Sequence, residues 1–171
     1  MGKTREETAE VENSNYFSTS TSKLLLMSLC TLGLYELYWI YKNWVHIKKK
    51  NKLEIMPFWR AFFGNLWLYS LMKYLQDDLN EANIPKLTPV GLLAALYLIT
   101  AGLWNLPDPY WLIAYFSFVF MIPANTAILR LNENLAIDVK ANDRMQGWNW
   151  LALILGGMFF ILIVGETLNP S

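Results

Sequence analysis

Leu24–Val45 (LLLMSLCTLGLYELYWIYKNWV) is an apolar and aromatic run long enough to cross a bilayer, and a chain carrying it has few ways to fold. At 1.5 Å per helical residue it reaches ~33 Å. Leu87–Trp104, Tyr110–Leu129 and Trp148–Gly165 reach ~27, ~30 and ~27 Å, each matched to a hydrocarbon core of about 30 Å. Between the middle two lies Asn105-Leu106-Pro107-Asp108-Pro109, whose prolines end one helix and start the next, predicting a tight antiparallel hairpin. Hydrophobic residues are 54% of the chain and charged residues 16%, below the quarter or so usual in soluble domains. The expected fold is therefore all-α: a polytopic integral membrane helical bundle of about four spanning helices, with one further membrane-embedded helix over residues 58–75.

That further segment (FWRAFFGNLWLYSLMKYL) follows Pro57, a natural first-turn residue, and contains Arg60, Asn65, Ser70 and Lys73 on no single face. Charge decides its placement. If it does not cross, eleven basic residues share one side, among them Lys42, Lys48–Lys50, Arg60, Arg130 and Arg144, against Lys3, Arg5 and Lys23 on the other. If it crosses, about six lie inside and eight outside, against the positive-inside tendency. The segment is expected to be embedded without crossing, with basic loops 42–60 and 130–147 cytoplasmic. A variant breaks the first stretch at Gly33, so that it re-enters and brings all 14 basic residues to one side. A continuous helix is the simpler expectation, because irregular backbone at that depth needs protein or water around it.

Several classes of chemistry are excluded. Cys30 is the only cysteine and His46 the only histidine, so no intramolecular disulfide, Cys-x-x-Cys motif or His-His zinc site can form. The formal net charge is zero, giving no reason to expect nucleic acid. Clustered carboxylates occur only in Asp77, Asp78 and Glu81, read as a solvated helix end. No catalytic residue, metal site or cofactor is expected. Residues 1–22 carry Glu6, Glu7, Glu10 and Glu12 and read as a disordered acidic tail, with residues 23–171 a single helical membrane domain. The tail lacks the basic start and apolar run of a signal peptide, and Glu6 stands where myristoylation requires Ser or Thr.

Three groups of residues are candidates for function. Tyr35, Tyr38, Trp39, Tyr41, Lys42 and Trp44, followed by Lys48, Lys49 and Lys50, form an aromatic and basic rim suited to headgroups, anionic lipid or a partner. Glu36 is an acid inside an apolar run and needs a partner; Arg60 is the candidate, as an intramembrane polar pair. Asn125 and Asn132 are seven apart on one helix face and, with Arg130, form a candidate polar face for hydrogen bonding between helices, a polar path or a phospholipid headgroup. Ala152, Gly156 and Gly157 allow close helix approach. A T-x-G-L-aromatic-x-L pattern recurs at Thr31–Leu37 and Thr100–Leu106, the kind of echo from which transporters are built.

The motif Thr31-x-Gly33-Leu34-Tyr35-Glu36-x-Tyr38-Trp39-x-Tyr41-Lys42-x-Trp44 follows Lys23-Leu24 and precedes Pro57-Phe58-x-Arg60-Ala61-x-Phe63 and Asn132-x-Asn134. It resembles a group of uncharacterised bacterial multi-helix membrane proteins classed under domains of unknown function, from about Tyr16 to the last helix. The resemblance implies a multi-pass protein of the bacterial cytoplasmic membrane and carries over no activity. The expected role is a non-enzymatic accessory or regulatory component that binds anionic lipid and a membrane protein partner or, as a homo-oligomer, a further copy of itself. The alternative is a small oligomeric transporter or channel that uses Glu36, Arg60 and the Asn125/Arg130/Asn132 face.

Overall fold

The computed structural model describes residues 15–87, 89–135, 143, 145 and 147–168. The acidic residues of the tail's first part, and Lys140 and Arg144 of the second basic loop, lie outside them. Among the described residues the chain is all-helical, without strands: α1 (Thr21–Cys30), α2 (Leu34–Lys50), α3 (Pro57–Phe62), α4 (Gly64–Glu81), α5 (Val90–Gly102), α6 (Ile122–Asn134) and α7 (Gly147–Leu168). Tighter 3₁₀ windings cover Leu103–Asn105 and Tyr110–Met121, the latter running straight into α6. Two of these helices are long and apolar enough to cross a membrane: Tyr110–Asn134, with mean hydropathy 1.8, and Gly147–Thr167, with mean hydropathy 2.0.

The first apolar stretch is not a continuous helix. Leu32 and Gly33 take left-handed φ values of 53° and 85°, and Gly33 N–H donates back to the Ser28 carbonyl at 3.1 Å, the closure that terminates a helix. Thr31 bridges the break: its hydroxyl donates to the Met27 carbonyl at 2.6 Å and accepts from the Tyr35 N–H at 3.0 Å, satisfying an end of each helix. The expectation of one span from Leu24 to Val45 is corrected accordingly. With 10 residues, α1 is ~15 Å long, about half a hydrocarbon core. The stretch Leu87–Trp104 is also shorter than read, its apolar helix running over Val90–Asn105.

Contacts fix the direction of each element. The C-terminal ends of α2 and α4 lie together, where Lys50 Nζ is 2.7 Å from Asp78 and 3.7 Å from Glu81. The start of α4 lies a helix-length away, with Gly64 against the Ile40 side chain. The α4 stripe Leu68, Leu71, Met72, Leu75 and Leu79 is buried, spaced as one helical face must be. From the Lys50 end α5 runs back past Glu36, which Tyr97 contacts, and Tyr110–Asn134 returns beside it to bring Asn132 to Tyr16. The hairpin turn at Asn105–Pro109 is where the prolines put it. In α7, Gly156 meets α1 so closely that a Cβ would collide with the Cys30 carbonyl, while Phe160 packs edge-on against Tyr115 at 5.7 Å.

Residues 15–22, read from sequence as part of a disordered tail, are ordered. Tyr16–Ser20 is an extended segment threaded into the bundle, and Thr21 and Ser22 begin α1. Tyr16, Ser18 and Thr19 are buried, the last two completely. The core around the segment comprises Leu24, Trp39, Ile47, Met121, Ala124 and Ile128, among others.

Candidate functional site

An extended segment inside a helical protein has no neighbouring strand to satisfy its backbone, so side chains must supply the missing partners. Asparagine suits this because its amide is a peptide group in miniature, with an acceptor and two donors. Asn43 accepts from the Phe17 N–H at 2.8 Å and donates to the Phe17 carbonyl at 3.1 Å. Asn125 does the same two residues on, accepting from the Thr19 N–H at 3.2 Å and donating to its carbonyl at 2.6 Å. Two residues is the period at which an extended chain presents the same edge. Asn132 donates to the Tyr16 carbonyl at 2.9 Å and the Ser18 hydroxyl at 3.0 Å; Trp39 Nε1 donates to Asn125 at 3.0 Å; and Ser20 N–H donates to Asp143. At its outer end the Tyr16 ring lies 4.2 Å from that of His46. Burial, with Asp78 adding to it, pushes the Tyr16 phenol far above the usual tyrosine range, so it remains protonated.

This arrangement redistributes the predicted residues. Asn125 and Asn132 do share a buried face, but Arg130 is exposed and does not join them. The aromatic rim divides in two. Tyr35, Trp39 and Trp44 are buried, whereas Tyr38, Tyr41, Lys48, Lys49 and Lys50 are exposed and Lys42 is half-buried. Lys50 is drawn into the ion pairs with Asp78 and Glu81.

The expected Glu36–Arg60 pair is not formed; each finds another partner. Glu36 is buried in the first turn of α2, where the helix N-terminus favours a negative charge, and Tyr97 donates to its carboxylate at 3.1 Å. Arg60 turns the other way. Its Cζ is 4.4 Å from the ring centroid of Trp44 and 4.4 Å from that of Trp67, so the guanidinium lies between two indoles. Beside this stack Leu37, Tyr38, Tyr41, Phe58, Ala61 and Phe62 line an apolar groove of about 250 Å³. Around the groove Phe58, Trp59, Phe62 and Phe63 form a continuous series of ring contacts, all at least half exposed. Lys42 Nζ lies 6.0 Å from the Tyr38 ring centroid.

Sequence reasoning missed Asn43 and Trp67. Asn43 is a polar residue of α2 four residues from both Trp39 and Ile47 on its inner face, a signal that spacing could have yielded. Nothing marked Trp67 among so many aromatics. No group of three or more His, Cys, Asp or Glu side chains suited to a metal occurs among the described residues. The chain matches no protein-family model, no curated protein and no solved structure.

Proposed function

We propose that this chain is a non-enzymatic, multi-pass membrane protein that binds anionic lipid along the outer face of α2 and α3, as an accessory component of a bacterial cytoplasmic membrane. The observation that carries the reading is the exposed aromatic surface Phe58–Trp59–Phe62–Phe63 joined to the apolar groove, with Lys42 at its edge and exposed Lys48 further along α2. A surface of that size is unfavourable in water and stable against acyl chains. Rings at the interface and lysines beyond them are the arrangement that anionic headgroups favour.

The same reading gives a topology. Tyr16 lies beside His46, so the extended segment and the basic end of α2 share one end of the molecule; α4 also ends there, against Lys50. Residues 16–81 then enter the membrane and return to the face they left. Three elements cross: Val90–Asn105, Tyr110–Asn134 and α7. Of the 14 Lys and Arg residues, 13 precede these crossings or lie in the connection after Tyr110–Asn134, Arg130 sits in the last turns of that element at the same end, and none lies in residues 88–129 or 145–171. Isolation in native nanodiscs followed by mass spectrometry tests the function: anionic lipid is expected to be enriched over the surrounding bilayer. Bulk lipid composition around the protein would count against it.

A transport role is the second reading, favoured by the broken helix at Gly33 with a buried carboxylate one turn beyond, the form that ion and substrate sites take in transporters. It predicts flux through reconstituted protein that Glu36→Gln alters without loss of folding.

A further inference from the structure

Along the face of α2 that carries Leu37, Tyr41, buried Trp44 and Lys48 the chemistry changes in a fixed order. Leu37, Tyr38 and Tyr41 contribute to the apolar groove, Trp44 follows one turn on as the platform for Arg60, and exposed Lys48 follows one turn after that. The guanidinium packs 4.4 Å from the ring centroids of both Trp44 and Trp67. Its N–H donors lie in the guanidinium plane, and the indole rings offer them no oxygen acceptor. No hydrogen-bond acceptor or carboxylate meets them among the described residues. A half-buried cation packed against two indoles, with no counter-charge among the described residues, is costly, and an anion beside it removes the cost. Groove, guanidinium and ammonium occur in the order of acyl chain, phosphate and headgroup surface in a phospholipid.

We infer that the Trp44–Arg60–Trp67 stack is the phosphate-binding site for one anionic phospholipid, whose acyl chain occupies the groove lined by Leu37, Tyr41 and Phe58. The inference rests on the lipid-binding reading above and adds the ligand group and the residue that recognises it. Guanidinium suits the task better than ammonium because its planar fork donates two parallel bonds to phosphate while it stays packed against the indoles. Trp67 is partly exposed, which leaves the stack open to the bilayer.

The test uses the full chain in phosphatidylcholine bilayers carrying spin-labelled phosphatidylglycerol or spin-labelled diacylglycerol, with inorganic phosphate as competitor. Diacylglycerol has the chains without the phosphate. The wild type is expected to prefer phosphatidylglycerol at least about tenfold, the effect of one charge-assisted hydrogen-bonded contact. Arg60→Gln is expected to abolish that preference and leave diacylglycerol occupancy unchanged, with Arg60→Lys between the two. Leu37→Trp, which fills the groove and leaves the stack intact, is expected to expel both lipids. An undiminished preference in Arg60→Gln, or full occupancy in Leu37→Trp, overturns the inference while leaving the lipid-binding reading in place. Release of phosphatidylglycerol by inorganic phosphate reassigns the site to a soluble anion and also overturns it. Failure of the wild type to enrich either lipid overturns the lipid-binding reading itself.

Discussion

Asn125 accepts from the Thr19 N–H and the Trp39 indole and donates to the Thr19 carbonyl, all fully buried, so its replacement strands three polar groups at once. Asn125→Leu should cost about 1–3 kcal/mol for each group left unsatisfied. The expected readout is a lower thermal midpoint together with new proteolytic cleavage near residues 15–20; unchanged resistance at both would refute the clasp. Glu36 gives a contrast between two variants. Tyr97→Phe removes the one side-chain donor described for the carboxylate, whereas Glu36→Gln keeps an acceptor for Tyr97 and removes the buried charge. Tyr97→Phe should therefore lower stability by about 1–3 kcal/mol and Glu36→Gln by less, measured as paired unfolding curves. Spacing made the shared face of Asn125 and Asn132 legible in the sequence. Their partner was not legible, because Tyr16–Ser20 carries no apolar periodicity and its role depends on backbone groups that every residue has. Arg60 was mispaired for a related reason: opposite charge suggested Glu36, while stacking on indole depends on three-dimensional proximity to Trp44 and Trp67.

The helices were legible where their ends carry strong local chemistry. Pro57 starts α3, and prolines separate α5 from the helix that returns beside it. The break between α1 and α2 was legible only as an alternative, since hydropathy runs through Thr31–Gly33 without a change and only Gly33 marks it. What decides it is tertiary: Leu32 also adopts a left-handed φ, which a leucine does only when its surroundings hold it there. The α1–α7 crossing yields a direct test. A side chain at Gly156 would collide with the Cys30 carbonyl, and a Cβ at Gly157 would stand 3.7 Å from Cys30 Sγ. Gly156→Leu should separate the helices and speed maleimide labelling of Cys30, the only cysteine; an unchanged labelling rate would show that α7 does not pack there.

At the scale of the molecule, the reading is of two unlike halves. The half built from residues 16–81 is closed by its own extended segment and rich in charge, and is proposed to be embedded from one face; the other consists of apolar elements proposed to cross. On this reading a count of apolar stretches need not equal the number of spans, because a hydrophobic segment that turns back is as apolar as one that crosses. Its central consequence is that Asn15 and Asn51, on either side of the first apolar stretch, lie on the same membrane face, with Asp108 on the other. Single cysteines at these three positions in a Cys30→Ser background, labelled on intact cells with a membrane-impermeant maleimide, measure this directly. Labelling at Asp108 alone is the predicted result, whereas labelling at position 15 with protection at position 51 would mean that the first stretch crosses and would contradict the account.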